Sequence, residues 1–166
     1  RIREVANLSV SQTLPVGNGE YLVQVSTSDS EITGIDFGYT SPTTYHIEPQ
    51  LPLKDARPNS PAQTSSTIMV PDSGMVRDVN VAIDISHTRE QDLDVVLIAP
   101  DGQRVPMFSD VGGANDLLTN LTLDDEAGQW IEVATQPYGS LYRPESRLAV
   151  LDGLDAAGQW TLEITD

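Results

Sequence analysis

Carboxylates are the residues of this chain with the types and positions to do chemistry. Acidic residues number 25 against 9 basic ones, and five of them fall at strand ends or in loops: Asp92, Asp94, Asp124, Asp125 and Asp166. Ca²⁺ takes six to eight oxygens from carboxylates and carbonyls. Crowded carboxylates repel one another, and a bound cation removes that cost. These five, with Glu126 beside them, are the candidate metal ligands, and a structural calcium is the expected cofactor. No EF-hand spacing is present, so the competing reading is aspartate as a plain cap or turn former.

Catalytic residues are not evident. Hydrolysis by a nucleophile needs a positioned Ser or Cys, a base and an orienting group. The chain has two histidines and no cysteine. His46 lies in a proline-rich stretch and His87 follows a strand. No Gly-x-Ser-x-Gly segment occurs. Asp124-Asp125-Glu126 and the pair Asp152 and Asp155 supply carboxylates for glycosidase work, but two carboxyls must face each other across a cleft, and an acidic chain brings such pairs together by chance. No phosphate-binding glycine loop, zinc motif or basic-aromatic array is visible. The expectation is a chain that is not an enzyme.

The formal net charge of −16 repels nucleic acid and anionic membranes. Hydrophobic residues make up 39%, enough for a globular core, and no apolar run is long enough to span a bilayer. The lack of cysteine excludes disulfides and thiolate metal sites. The chain starts Arg1-Ile2-Arg3 without Met and reads as a piece of a longer polypeptide, extracellular or on a cell surface, and of bacterial type.

The elements that must position these residues are strands. Val79, Val81, Ile83 and Ile85 alternate with other residues, as do Leu93, Val95 and Leu97, which is the period of half-buried strands. A Pro100-Asp101-Gly102 turn ends the second run. Further strands are expected at Thr67–Val70, Arg104–Phe108, Asn120–Leu123, Gln129–Ala134, Arg147–Leu151 and Gln159–Thr165, with no convincing helix. Short strands broken by Gly and Pro predict an all-β antiparallel jelly-roll sandwich of the galactose-binding type over residues 64–166. Its core is expected to hold Val81, Ile83, Leu93, Val95, Leu97, Trp160 and Leu162. Residues 41–63, rich in proline, read as an extended linker. Residues 1–40 read as a partial β module: a possible strand at Arg1–Val5, a Gly17-Asn18-Gly19 turn, alternating Tyr21, Val23 and Val25, then Ile32, Ile35 and Phe37.

Several of these motifs, in this order, resemble the P domain, or homo B domain, of proprotein convertases. They are Val70-Pro71-Asp72; His87-Thr88 with Asp92-Leu93; Pro100 and Gly102; Gly112-Gly113 and Asn115; Asp124-Asp125-Glu126-Ala127; Pro137-Tyr138-Gly139-Ser140-Leu141-Tyr142-Arg143-Pro144; and Gly158-Gln159-Trp160-Thr161-Leu162 with closing Asp166. Gln91 stands where the family often has Gly. The resemblance implies a non-catalytic accessory module associated with a subtilisin-like serine peptidase, supporting its folding, stability or substrate access, with a structural place for His87. It also implies a structural calcium. Residues Gly19–Gly38 resemble the C-terminal half of collagen-adhesin B-type repeats, which keeps a second reading open: a surface adhesion module that binds a protein or glycan. The partners expected are neighbouring domains of a larger chain, among them a subtilisin-like catalytic domain.

Overall fold

The computed structural model describes residues 2–3, 11–14, 20–21, 38–40, 42–87, 89–112, 117–134 and 141–166. The chain divides into two compact units, Arg1–Thr44 and Tyr45–Asp166. In the first, β1 (Ile2–Arg3) pairs antiparallel with β3 (Glu20–Tyr21), and β2 (Ser11–Leu14) pairs antiparallel with β4 (Gly38–Thr40). The Gly17-Asn18-Gly19 turn, Val23, Val25, Ile32, Ile35 and Phe37 lie outside the described residues. So do Thr88, Gly113, Asn115 and Pro137-Tyr138-Gly139-Ser140.

The second unit is a two-sheet β sandwich. Its strands are β5 (Gln63–Val70), β6 (Val81–Ser86), β7 (Asp94–Ile98), β8 (Arg104–Ser109), β9 (Leu117–Leu123), β10 (Leu141–Tyr142) and β11 (Gly158–Thr165). One sheet has the order β5-β11-β7-β8 and is antiparallel throughout. The other has the order β10-β9-β6, with β6 and β9 antiparallel and β9 and β10 parallel. Residues 45–62, expected as linker, belong to this unit. They are tied to it where the Ala62 N–H donates to the Asp166 carbonyl and the Asp166 N–H to the Ala62 carbonyl.

Alternation buries one face of each sheet. Ile83 and Ile85 of β6, Val95 and Leu97 of β7, and Leu121 and Leu123 of β9 meet in one core with Leu93, Leu118, Ile131, Leu148 and Leu151. Trp160 and Leu162 pack against this core half-buried, and Ile164 on the same strand is buried. Between β7 and β8 the register slips at Val95/Val96. A bulge puts two residues opposite one, and it lets the successive Met107 and Phe108 both turn inward. Pro106 fits in β8 because β8 is an edge strand and Pro has no N–H to donate to a ladder. That edge is covered. The Glu145 N–H donates to the Met107 carbonyl and the Ser146 N–H to the Pro106 carbonyl.

Two of the expected strands fold otherwise. Ile131–Val133, inside the expected Gln129–Ala134, and Leu148–Leu151, inside Arg147–Leu151, are 3-10 turns. Leu148 and Leu151 are both buried, and a spacing of three places both on one side of a 3-10 turn. β7 begins at Asp94, because Glu90–Asp92 forms a third 3-10 turn.

Candidate functional site

The Pro100-Asp101-Gly102 turn forms as its residues require. The Gly102 N–H donates to the Ala99 carbonyl, the Gln103 N–H to Asp101 Oδ1, and Gly102 sits at φ 89°. At the far end of β7's neighbour, Gly158 has φ 129°, and a Cβ there would lie 2.7 Å from Pro100 Cβ. This turn therefore packs on the start of β11 only because residue 158 is glycine.

Acids gather in two places. The first is beside the turn that follows β9. Asp124 Oδ1 accepts the Glu126 N–H at 2.7 Å. The Asp125 carboxylate accepts the N–H groups of Leu148 at 3.0 Å and Ala149 at 2.9 Å, which caps the Leu148–Leu151 turn. A proton shared with Asp124, then burial and the nearby charges of Asp78, Asp124 and Asp125, push Glu126 up to about 7. Burial, then Asp124 first among its neighbours, raises Asp78. Burial and Asp125 raise Asp152. Alongside runs a cleft of about 420 Å³ lined by Asp125, Glu126, Trp130, Arg143, Arg147 and Ala149. Arg143 Cζ stands 5.6 Å from the Trp130 ring centroid, within cation–π range.

The second gathering is centred on His87. The ring follows β6 and its side chain is 6% exposed. Its Nδ1 is 2.9 Å from the Arg89 carbonyl. Its Nε2 is 3.3 Å from Asp55 Oδ1 and 3.9 Å from Asp166 Oδ2, with hydrogen-bond geometry to neither. Asp166 follows the last residue of β11, and its Oδ2 also accepts the Ala56 N–H. His87, Asp55 and Asp166 are the one set of three such side chains among the described residues whose ligand atoms all lie within 4.8 Å of one another.

The five sequence-nominated acids are thus dispersed. Asp124 and Asp125 share the first cluster, and Asp166 joins His87 and Asp55. Asp92 is exposed in the Glu90–Asp92 turn. Asp94 opens β7, raised by burial and by Asp110 and Glu145. Sequence reading missed Asp55 and Asp78, and it named Asp155 only as one of a carboxylate pair with Asp152. Asp155 is a clamp: it accepts the N–H groups of Gly74 and Ala157 and the Ser73 hydroxyl, and these bonds lower its pKa. Its only sequence signal was a turn-forming aspartate ahead of a strand.

Residues 76–166, more than half of the chain, match the family model described as the proprotein convertase P-domain. The chain belongs to this family. Searches of curated proteins and of solved structures return no match. The P-domain match covers β6 to β11 and both acidic clusters except Asp55. P domains are non-catalytic accessory domains of subtilisin-like proprotein convertases, and they occur in secreted or membrane-anchored proteins. Among the described residues no helix is long and apolar enough to cross a membrane. In the second unit both histidines face acids: His46 contacts Glu48 at 3.1 Å on the surface, and His87 faces Asp55 and Asp166.

Proposed function

We propose that this chain is the non-catalytic accessory module of a secreted or surface protein, in which residues 45–166 support the folding, stability or substrate access of a neighbouring subtilisin-like serine peptidase domain. The observation that carries this reading is the P-domain match over residues 76–166. The surroundings of His87 support it. A general base must reach the proton it abstracts, and the His87 ring is buried between the Arg89 carbonyl and two carboxylates.

A structural Ca²⁺ is part of the proposal. Of the five candidates, Asp124 and Asp125 carry it best, because Asp78, Glu126 and Asp152 crowd them and a divalent cation relieves that repulsion. The adhesion alternative draws on the cleft where Trp130, Arg143 and Arg147 meet Asp125 and Glu126, since an aromatic face beside charged groups suits a glycan or a peptide.

The test is calorimetric mixing of the 166-residue chain with the peptidase domain of its parent, alongside a peptide-turnover assay of the chain alone. Saturable binding with no turnover by the chain is expected. Turnover abolished by His87→Ala would overturn the non-catalytic assignment, and glycan binding without peptidase binding would favour the adhesion reading.

A further inference from the structure

We infer that His87, Asp55 and Asp166 form a binding site for a divalent cation of the zinc class. The site is separate from the calcium candidates at Asp124 and Asp125 and does not depend on the accessory-module reading.

The argument starts from a buried nitrogen. The Arg89 carbonyl 2.9 Å from Nδ1 accepts a hydrogen bond if the ring proton sits on Nδ1. The lone pair of Nε2 then points at two carboxylates, 3.3 and 3.9 Å away. A lone pair facing anions in a buried position is unfavourable. Moving the proton to Nε2 does not repair this, because neither carboxylate lies where an Nε2–H would donate to it. In that tautomer Nδ1 accepts the Arg89 N–H at 3.3 Å while the Arg89 carbonyl loses its donor, and the Nε2–H still has no acceptor in line. Two things answer the carboxylates while keeping the Nδ1–H bond to the Arg89 carbonyl: a second ring proton on Nε2, or a metal cation that takes the Nε2 lone pair and balances both acids. The metal is the one inferred, and titration with Zn²⁺ separates the two.

The ligand set selects the cation. Zinc bonds of about 2.0–2.2 Å to nitrogen and oxygen, in a tetrahedron, put neighbouring ligand atoms about 3.3 Å apart. The His87 to Asp55 separation already equals that edge, and the His87 to Asp166 separation needs only a small closing movement. An imidazole ligand suits zinc and its transition-metal neighbours, whereas Ca²⁺ and Mg²⁺ take oxygen. The backbone carbonyl on Nδ1 is the partner that commonly fixes the tautomer of a metal-binding histidine. Three protein ligands leave one position for water. Each ligand comes from a different part of the second unit: the segment before β5, the end of β6 and the end of β11. A bound ion therefore fastens residues 45–62 to the sandwich.

Asp55 gives a clean test, because its side chain is 78% exposed and its removal leaves the core untouched. The 166-residue chain, stripped with chelator, is titrated with Zn²⁺ by calorimetry and melted with and without Zn²⁺. Co²⁺ serves as the visible probe. One equivalent is expected to bind, to raise Tm, and to give Co²⁺ ligand-field bands of a four-coordinate site. Nitrogen NMR of the His87 ring should show Nε2 shifting on Zn²⁺ addition while Nδ1 keeps its proton. Asp55→Ala should weaken Zn²⁺ at least about tenfold, as the loss of even an outer partner does, with an unchanged metal-free Tm. Any Ca²⁺ effect should be the same in both proteins. His87→Gln should abolish the Co²⁺ bands; if that buried change impairs folding, Asp55→Ala remains decisive. Zn²⁺ binding that is unsaturable, or unchanged in Asp55→Ala, would overturn the site, as would a His87 ring that stays doubly protonated and indifferent to Zn²⁺.

Discussion

Gly158 and Asp125 show how single residues hold the sandwich together. Gly158 combines a positive φ with Pro100 packed 2.7 Å from where a Cβ would stand. Gly158→Ala should destabilise the second unit by about 1–3 kcal/mol, the cost of a strained backbone position, as read from urea unfolding. Asp125 satisfies two N–H groups at the start of the Leu148–Leu151 turn. Asp125→Ala should cost about 1–3 kcal/mol, because it strands those donors, and the same melts measure it. The Pro-Asp-Gly turn was legible because Pro and Gly impose backbone angles whatever surrounds them. The partnership of His87 with Asp55 and Asp166 was not, because two strand ends and the segment before β5, distant in sequence, meet only once the sheets have formed.

Among the elements, period two made β5, β6, β7, β8 and β11 readable, since each buries one face. It failed at Ile131–Val133 and Leu148–Leu151, where β-branched and leucine residues suggested strands but the chain closes local 3-10 turns instead. The turn after β9 gives the fold a pH dependence. Glu126 is raised from its ordinary 4.5 to about 7, so between those values the folded state holds a proton that the unfolded chain has released. Stability therefore falls as pH rises from about 4.5 to 7 and levels off above. In chelator-treated buffer, Glu126→Gln should remove that slope and raise Tm at pH 8 relative to the parent chain. A parent chain whose Tm is flat across the window would count against the cluster. Asp155 acts at the other end, since its lowered pKa stabilises the fold at neutral pH and that contribution is lost as acid protonates it.

At the scale of the molecule, residues 45–166 carry a complete two-sheet core and should fold without residues 1–44. A chain beginning at Tyr45 should give one cooperative melt with a Tm close to that of residues 1–166. Ca²⁺ should raise that Tm and Mg²⁺ should not, if the Asp124 and Asp125 cluster binds as proposed; equal melts in EDTA, Ca²⁺ and Mg²⁺ would leave those acids as solvated surface. The P-domain family, read from ordered motifs, agrees with the fold: among the described residues Pro100-Asp101-Gly102 forms a turn and Gly158–Leu162 lies in β11. The proposed accessory role is tested most directly by the yield and thermal half-life of peptidase activity in the parent protein with and without residues 45–166. Loss of folded, active peptidase on deletion is expected. Undiminished yield and half-life in the deleted protein would contradict an accessory role.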